Sequence, residues 1–340
     1  MMDREPRPSP EAPHGGGNPV GLAHAAPAVA ATAPEPATAA AVHAPLPDTA
    51  PAAGGRFPLQ PLLHLDTLWI QVAGTLCNLR CTHCFVSCGP GDDHHAMMSR
   101  EEVRAHVADG VRLGVKEFYF TGGEPFLHPQ MLEILADTLE HGPCTVLTNG
   151  TLFTRERLEA LRRLSDSARY ALEIRVSLDG HRAEDHDRLR GPGSFARTVS
   201  GLARLAEYEL LPIVSATESP LEDPAALFES YATMLRAAGL PRPRIKLLPM
   251  FRLGREAERT RGYTAAETLL DLPADAFDPA RLQCRACRAV TSHGVFVCPL
   301  LVDEASARMG DRLEQALGPF ELRHGACATC YATGMTCGNG

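Results

Sequence analysis

Residues 67–84 read TLWIQVAGTLCNLRCTHC. The run Thr67–Val72 is apolar and rich in β-branched and aromatic side chains, and Ala73-Gly74 stops it. Such a short continuous run bounded by a turn signal predicts a buried strand. The loop that follows holds Cys77, Cys81 and Cys84 in the spacing Cys-x3-Cys-x2-Cys. Three thiolates this close can wrap one soft metal centre. A closed zinc site takes four ligands. On a four-iron cubane, three ligands leave one iron open to a substrate or cofactor.

Outward from this stretch, strand patterns recur at Glu117–Thr121, Cys144–Thr148, Leu172–Leu178, Ile213–Ala216 and Arg244–Leu248. Helical patterns lie between them near Arg100–Leu113, Gln130–Glu140, Arg155–Leu164, Ala196–Tyr208 and Ala225–Ala238. Ser99 and Glu102 form a capping box ahead of the first helix. Strand and helix in alternation predict parallel βαβ units. Six units fall short of the eight that close a full barrel, so an open barrel and a doubly wound sheet both fit. In either architecture the loops at the carboxyl ends of the strands form the active face.

The alternation stops after Met250–Arg255. Residues 1–55 are an Ala/Pro-rich tail with Gly15-Gly16-Gly17 and Gly54-Gly55 as punctuation. That composition buries too little apolar surface to offset chain entropy, so the tail is expected to be disordered. The expected organisation is this tail, an α/β unit over 60–255 and a Cys-rich domain over 256–340.

The chain has 340 residues and a net charge of −8, from 33 Lys+Arg against 41 Asp+Glu. A mildly acidic balance argues against nucleic-acid coating. Apolar runs fall short of the roughly 18 residues of a membrane span. Eleven Cys in a long chain, odd in number and clustered, with no signal-peptide core, read as metal ligands in a cytoplasmic protein.

Three further motifs close the second, third and fourth strands: Thr121-Gly122-Gly123-Glu124-Pro125, Thr148-Asn149-Gly150 and Ser177-Leu178-Asp179-Gly180. With the cysteine triad, they resemble the radical S-adenosylmethionine (SAM) superfamily over residues 65–255. The resemblance implies a partial (β/α)6 TIM-like barrel. It implies a [4Fe-4S] cluster on Cys77, Cys81 and Cys84, and the methionine end of SAM on Gly122, Gly123, Glu124 and Pro125. Asn149, Ser177 and Asp179 are the corresponding ribose-side residues. Two glycines let a backbone approach closely, and Glu124 offers an acceptor for an ammonium. The family chemistry is one-electron cleavage of SAM to methionine and a 5′-deoxyadenosyl radical, which abstracts a substrate hydrogen. Two positions depart from the family's common pattern. His83 stands where an aromatic residue is frequent, and the fifth strand ends Ser215-Ala216-Thr217-Glu218 without a Gly-rich motif.

The C-terminal cysteines are Cys284, Cys287, Cys298, Cys327, Cys330 and Cys337, with Gly294 opening a hairpin before Cys298. Alone, two Cys-x2-Cys knuckles favour zinc. Behind a radical SAM core they resemble the auxiliary-cluster extensions called SPASM or twitch domains. The last Cys of a full SPASM set is missing, so one auxiliary [4Fe-4S] cluster is expected rather than two. Residues 186–195 also resemble a segment of SPASM-type maturases.

Several residues carry simpler readings. Cys88 reads as a free loop thiol and Cys144 as a small core hydrophobe. His94-His95 beside Asp92-Asp93 reads as a solvated polar loop, and Asp187 with Arg190 as a surface pair. The resemblance implies a radical SAM enzyme of peptide or protein modification, reduced by a flavodoxin or ferredoxin. The alternatives are a radical SAM enzyme of tetrapyrrole or other cofactor precursors, and a non-catalytic iron–sulfur or zinc protein.

Overall fold

The computed structural model describes residues 56–218, 222–335 and 337–338. The Ala/Pro-rich tail lies outside the described residues. In chain order the elements are β1 (Leu59–Gln60), β2 (Thr67–Ile70), α1 (Arg100–Arg112), β3 (Glu117–Phe120), α2 (Met131–Thr138), β4 (Cys144–Thr148), α3 (Arg155–Ser167) and β5 (Leu172–Ser177). Then come α4 (Ala183–Arg190), α5 (Ser194–Glu207), β6 (Ile213–Thr217), α6 (Pro224–Ala237), β7 (Arg244–Leu248) and α7 (Gly254–Arg259). The chain closes with β8 (Cys287–Thr291), β9 (Gly294–Phe296), β10 (Arg308–Gly310), β11 (Phe320–Glu321) and α8 (Gly325–Thr333).

One sheet carries the order β10-β9-β8-β2-β3-β4-β5-β6-β7. Strands β2 to β7 are parallel and adjacent in sequence order. A doubly wound sheet reverses its strand order at a switch point. This one does not, so the partial barrel is the architecture. The predicted strands and helices are present with ends moved by a few residues. The Ser99–Glu102 capping box forms, Glu102 N donating to Ser99 Oγ at 3.2 Å and Ser99 N to Glu102 Oε2 at 2.7 Å.

Two features escaped the sequence pattern. Helix α4, AEDHDRLR, buries only His186 and has no apolar stripe for a periodicity argument to find. The Cys-rich segment also continues the barrel's own sheet. Strand β8 pairs parallel with β2, and β9 and β10 extend it antiparallel.

The strands bury two different faces. Leu68, Ile70, Phe118, Phe120, Val146, Val176 and Val290 pack with the helix layer. Their neighbours Trp69, Tyr119 and Ala289 face a second cluster that contains Cys77, Cys81 and Cys287. That is the period-2 alternation of a strand covered on both faces. Trp69 and Tyr119, paired across β2 and β3, stack with ring centroids 4.3 Å apart.

Candidate active site and cysteine centres

A cavity of about 230 Å³ opens at the carboxyl ends of the parallel strands. Cys77, Cys81, Cys84, Gly122, Gly123, Asn149, Ser177 and Asp179 all line it. Glu124 and Pro125 are buried behind it and do not line it.

The glycines serve the loop first. A Cβ on Gly123 would lie 2.0 Å from the Leu76 carbonyl oxygen, and one on Gly122 would lie 2.7 Å from that of Gly74. Gly123 N donates to Gly74 O and Glu124 N to Leu76 O, both at 2.9 Å. The end of β3 is thereby zipped to the backbone that leads into Cys77. Only a residue without a side chain permits that approach.

The carboxylate of Glu124 is fully enclosed. It accepts from Thr148 Oγ1 at 2.7 Å, Asn149 N at 2.8 Å and Phe126 N at 3.1 Å. It therefore ties β3 to the end of β4. Burial pushes its acid up, against those three bonds.

Asn149 is aimed at the cysteine loop. Its amide Nδ2 donates to Asn78 Oδ1 at 2.8 Å and lies 3.9 Å from Cys77 Sγ. Leu79 N donates to Cys77 Sγ at 3.4 Å and Cys88 N to Cys84 Sγ at 3.3 Å. Hydrogen bonds to thiolate sulfur are a main lever on an iron–sulfur potential.

Asp179 is a hub. Its Oδ2 meets His83 Nε2 at 2.9 Å and Arg190 Nε at 2.6 Å. Its Oδ1 accepts from Thr217 N at 3.0 Å and Thr217 Oγ1 at 2.8 Å. The Arg190 and His83 charges hold its carboxyl well below the usual carboxylate range, in spite of burial. Both oxygens are engaged within the protein, so its role here is to position the loop. Arg190 is thus not the surface partner of Asp187. Asp187 instead caps α5, accepting from Gly193 N at 2.7 Å and Phe195 N at 2.8 Å.

Cationic groups surround the triad. Arg255 donates to Cys81 O at 2.8 Å and also to Cys88 O. Cys88 is a free thiol, as expected, and it is buried. Its hydrogen bond with Cys84 pulls the Cys84 thiol down to about 5, with Arg255 acting the same way against burial. Burial pushes the Cys77 thiol up to about 12. Sequence reasoning missed Arg255, because one Arg after the last strand carries no local signal.

His186 completes the support. Asp179 N donates to its Nδ1 at 3.2 Å, so the ring is neutral with Nδ1 as acceptor. Burial, then Arg190, lowers its pKa to about 4. The unfolded side chain titrates near 6.5. Between those values the unfolded chain binds a proton that the folded one refuses. Stability is therefore expected to fall as pH drops from about 6.5 to 4, by an amount on the order of 3 kcal/mol. Urea midpoints across this range should flatten in His186→Leu relative to wild type. Parallel curves would remove His186 from the cause.

Residues 72–217, from the end of β2 to the end of β6, match the model of the radical SAM superfamily. The chain carries a radical SAM domain. It is 33% identical over 168 residues to the AdoMet-dependent heme synthase of Methanosarcina barkeri (strain Fusaro / DSM 804), covering 47% of this chain and 45% of that one. It is 34% identical over 134 residues to the antilisterial bacteriocin subtilosin biosynthesis protein AlbA of Bacillus subtilis (strain 168), covering 39% and 29%. The chain thus spans less than half the length of these curated relatives. The fold resembles that of SuiB of Streptococcus suis, in the crystal structure bound to precursor peptide SuiA, with a TM-score of 0.57 at 15% identity over 75% of this chain and 65% of that one.

Beyond the radical SAM domain, all six C-terminal cysteines line one small cavity. Burial raises Cys284 to about 11 and Cys287, Cys298 and Cys330 well above the ordinary thiol. The thiols stay neutral until a metal takes their place in the charge balance. Arg288 is buried beside them and donates to the carbonyls of Cys284 at 3.0 Å and Cys287 at 2.8 Å.

Cys337, Pro299 and Leu300 line both cavities. The Cys337–Gly338 backbone is gripped from the barrel: Arg175 donates to Cys337 O, Lys246 to Gly338 O, and Gln283 Oε1 accepts from Cys337 N and Gly338 N. Cys144 is a buried core residue, as expected.

Proposed function

We propose that the chain is a radical SAM enzyme acting through Cys77, Cys81 and Cys84, with a second iron–sulfur centre among Cys284, Cys287, Cys298, Cys327, Cys330 and Cys337. The observation that carries this reading is the shared wall. The triad, the glycine pair and the polar strand ends line one cavity, and Cys337 links it to the six-cysteine cavity. The chemistry that cluster and SAM supply when bound is reductive cleavage to a hydrogen-abstracting 5′-deoxyadenosyl radical.

The chain's residues do the rest. Asp179, Arg190 and Arg255 hold the triad loop rigid. Asn149 and the amides of Leu79 and Cys88 direct hydrogen bonds at its sulfurs. Trp69, Leu300 and Phe251 give the cavity an apolar wall that keeps water out. Ser177, Ser215 and Arg175 present donors inward from β5 and β6. Cys337 brings the second centre to the edge of that space, where it can hold substrate or take an electron from it.

The substrate we infer is a peptide, modified on a side chain. AlbA, named for bacteriocin biosynthesis, supports this class, and the SuiB likeness agrees at the level of fold. The second reading is a tetrapyrrole, supported by the heme synthase relative. A flavodoxin or ferredoxin is the reductant we expect, and the cytoplasm the location. No helix of the described residues is long and apolar enough to cross a membrane.

The deciding measurement is iron and acid-labile sulfide per chain after anaerobic reconstitution, with a Cys77/Cys81/Cys84→Ala triple variant beside wild type. The variant should lose about half of both and keep the remainder. A variant that keeps no iron and holds zinc at its C-terminal cysteines would sink the second centre, and with it the auxiliary-cluster argument for a peptide. Titration with an iron porphyrin separates the substrate classes: a shifted Soret band at one equivalent supports the tetrapyrrole reading over the peptide.

A further inference from the structure

The solvated polar loop expected at His94-His95 holds for His94 but not for His95, which meets Asp303. His95 is only 3% exposed. Its Nε2 lies 2.7 Å from Asp303 Oδ1, and His94 Nε2 lies 3.6 Å from the same oxygen. One donor atom from each residue falls within 4.8 Å of the other two. Adjacent residues of an extended strand point to opposite faces. Here the chain bends at both histidines, and the two rings come within 5.3 Å.

The placement is rigid where rigidity counts. His95 N donates to Thr75 Oγ1 at 3.2 Å, and Thr75 N donates to His95 O at 3.0 Å. Ala96 N donates to Ser292 Oγ at 2.9 Å, fixing the loop to the β8–β9 turn. The His293 ring of that turn lies 4.5 Å from the His95 ring. His94 and Asp303 are partly exposed, which leaves an entry path and room for water.

We propose that His94, His95 and Asp303 form a divalent transition-metal site of the zinc class, separate from both cysteine centres. Two imidazoles and one carboxylate are a donor set for borderline divalent ions, which bind such nitrogen and oxygen atoms at about 2.0–2.2 Å. Tetrahedral donors at that radius stand roughly 3.4 Å apart. The His94–Asp303 separation is close to this, and the shorter His95–Asp303 separation opens by a side-chain rotation of the exposed aspartate. A plain His–Asp latch needs one histidine, whereas two converge on this oxygen and a third packs against them. The site would clasp the loop after the cysteine triad to the segment after Cys298. It contains no thiol, so iron–sulfur assembly does not compete for it.

The test uses the full chain with its iron–sulfur sites loaded, under anaerobic conditions, and Co²⁺ as the probe. Wild type should take up one Co²⁺ per chain beyond its iron, with weak visible d–d absorption and no sulfur-to-cobalt charge-transfer band. Zn²⁺ should displace it. His94→Ala and Asp303→Asn, both at partly exposed positions, should each weaken binding at least tenfold while leaving the metal-free urea midpoint and the iron content unchanged. Unchanged Co²⁺ affinity in both variants overturns the proposal. So does a charge-transfer band that only cysteine variants remove, or the absence of any Co²⁺ beyond the iron sites.

Discussion

Alanine at Cys77, Cys81 or Cys84, one at a time, is expected to reduce 5′-deoxyadenosine formation from SAM under strong reductant to the level without protein. The three sulfurs stand at different positions of one loop, and Cys77 and Cys84 are each met by a backbone amide. Cys77 is met by Leu79 N and approached by the Asn149 amide, and Cys84 by Cys88 N. Cys81 feels the Arg190 and Arg255 charges, which oppose the burial that raises its pKa. Cys88 is the one thiol near enough to be asked to substitute, since it hydrogen-bonds Cys84. A Cys84→Ala variant that keeps activity, and loses it again in Cys84→Ala/Cys88→Ala, would make Cys88 a spare ligand. Full activity in any other single triad variant would sink the assignment of the triad. Asn149→Ala is the control for a graded effect. It removes one weak N–H···S contact and the bonds to Asn78 and Thr151 but no cysteine, so the cluster should form, with an altered reduction potential.

The barrel was legible because its signals are local and repeated. Thr67–Val72, Cys144–Thr148 and Arg244–Leu248 announce themselves by composition, and Ser99 with Glu102 announces a helix start. The triad was legible because its chemistry needs three like residues at fixed spacing. The partners that hold the triad were not. Arg190, Arg255 and Thr217 come from three distant segments, and a single polar residue has no periodicity to betray it. The same reason hid the joining of β8 to β2, since a parallel pairing over more than 200 residues of separation leaves no trace in either strand. The glycine pair was read as making room for a ligand. Its packing against Leu76 shows that close approach can be demanded by the protein's own backbone. His95 was misread as solvated because exposure was inferred from polarity, while its partner Asp303 lies more than 200 residues on.

Asp179→Asn is expected to cost about 3–5 kcal/mol of stability, the range for removing one partner of a buried ion pair. The Asp179 side chain is 3% exposed and that of Arg190 14%. The amide leaves the guanidinium without its counter-charge and cannot accept at both former carboxylate oxygens. Urea unfolding of the apo chain at pH 7 measures the loss. Asp179→Asn/Arg190→Met separates the pair's net worth from the penalty of an orphaned charge. Because the buried pair itself is worth little against apolar replacement, the double variant should recover at least half of the loss. No recovery would shift the cause to the lost Thr217 and His83 bonds. The pH dependence has a definite sign. The carboxyl is depressed in the fold, so its contribution is complete above the unfolded value near 3.9. It disappears as pH falls through the lower folded value. The consequence for the site follows from the same bonds. Asp179 binds His83, which lies between Cys81 and Cys84, and Thr82 N in that loop donates to Leu189 O of α4 at 2.8 Å. Loosening this knot frees the segment that sets two of the three sulfurs. Iron retention in Asp179→Asn should therefore fall even at a temperature where the domain stays folded.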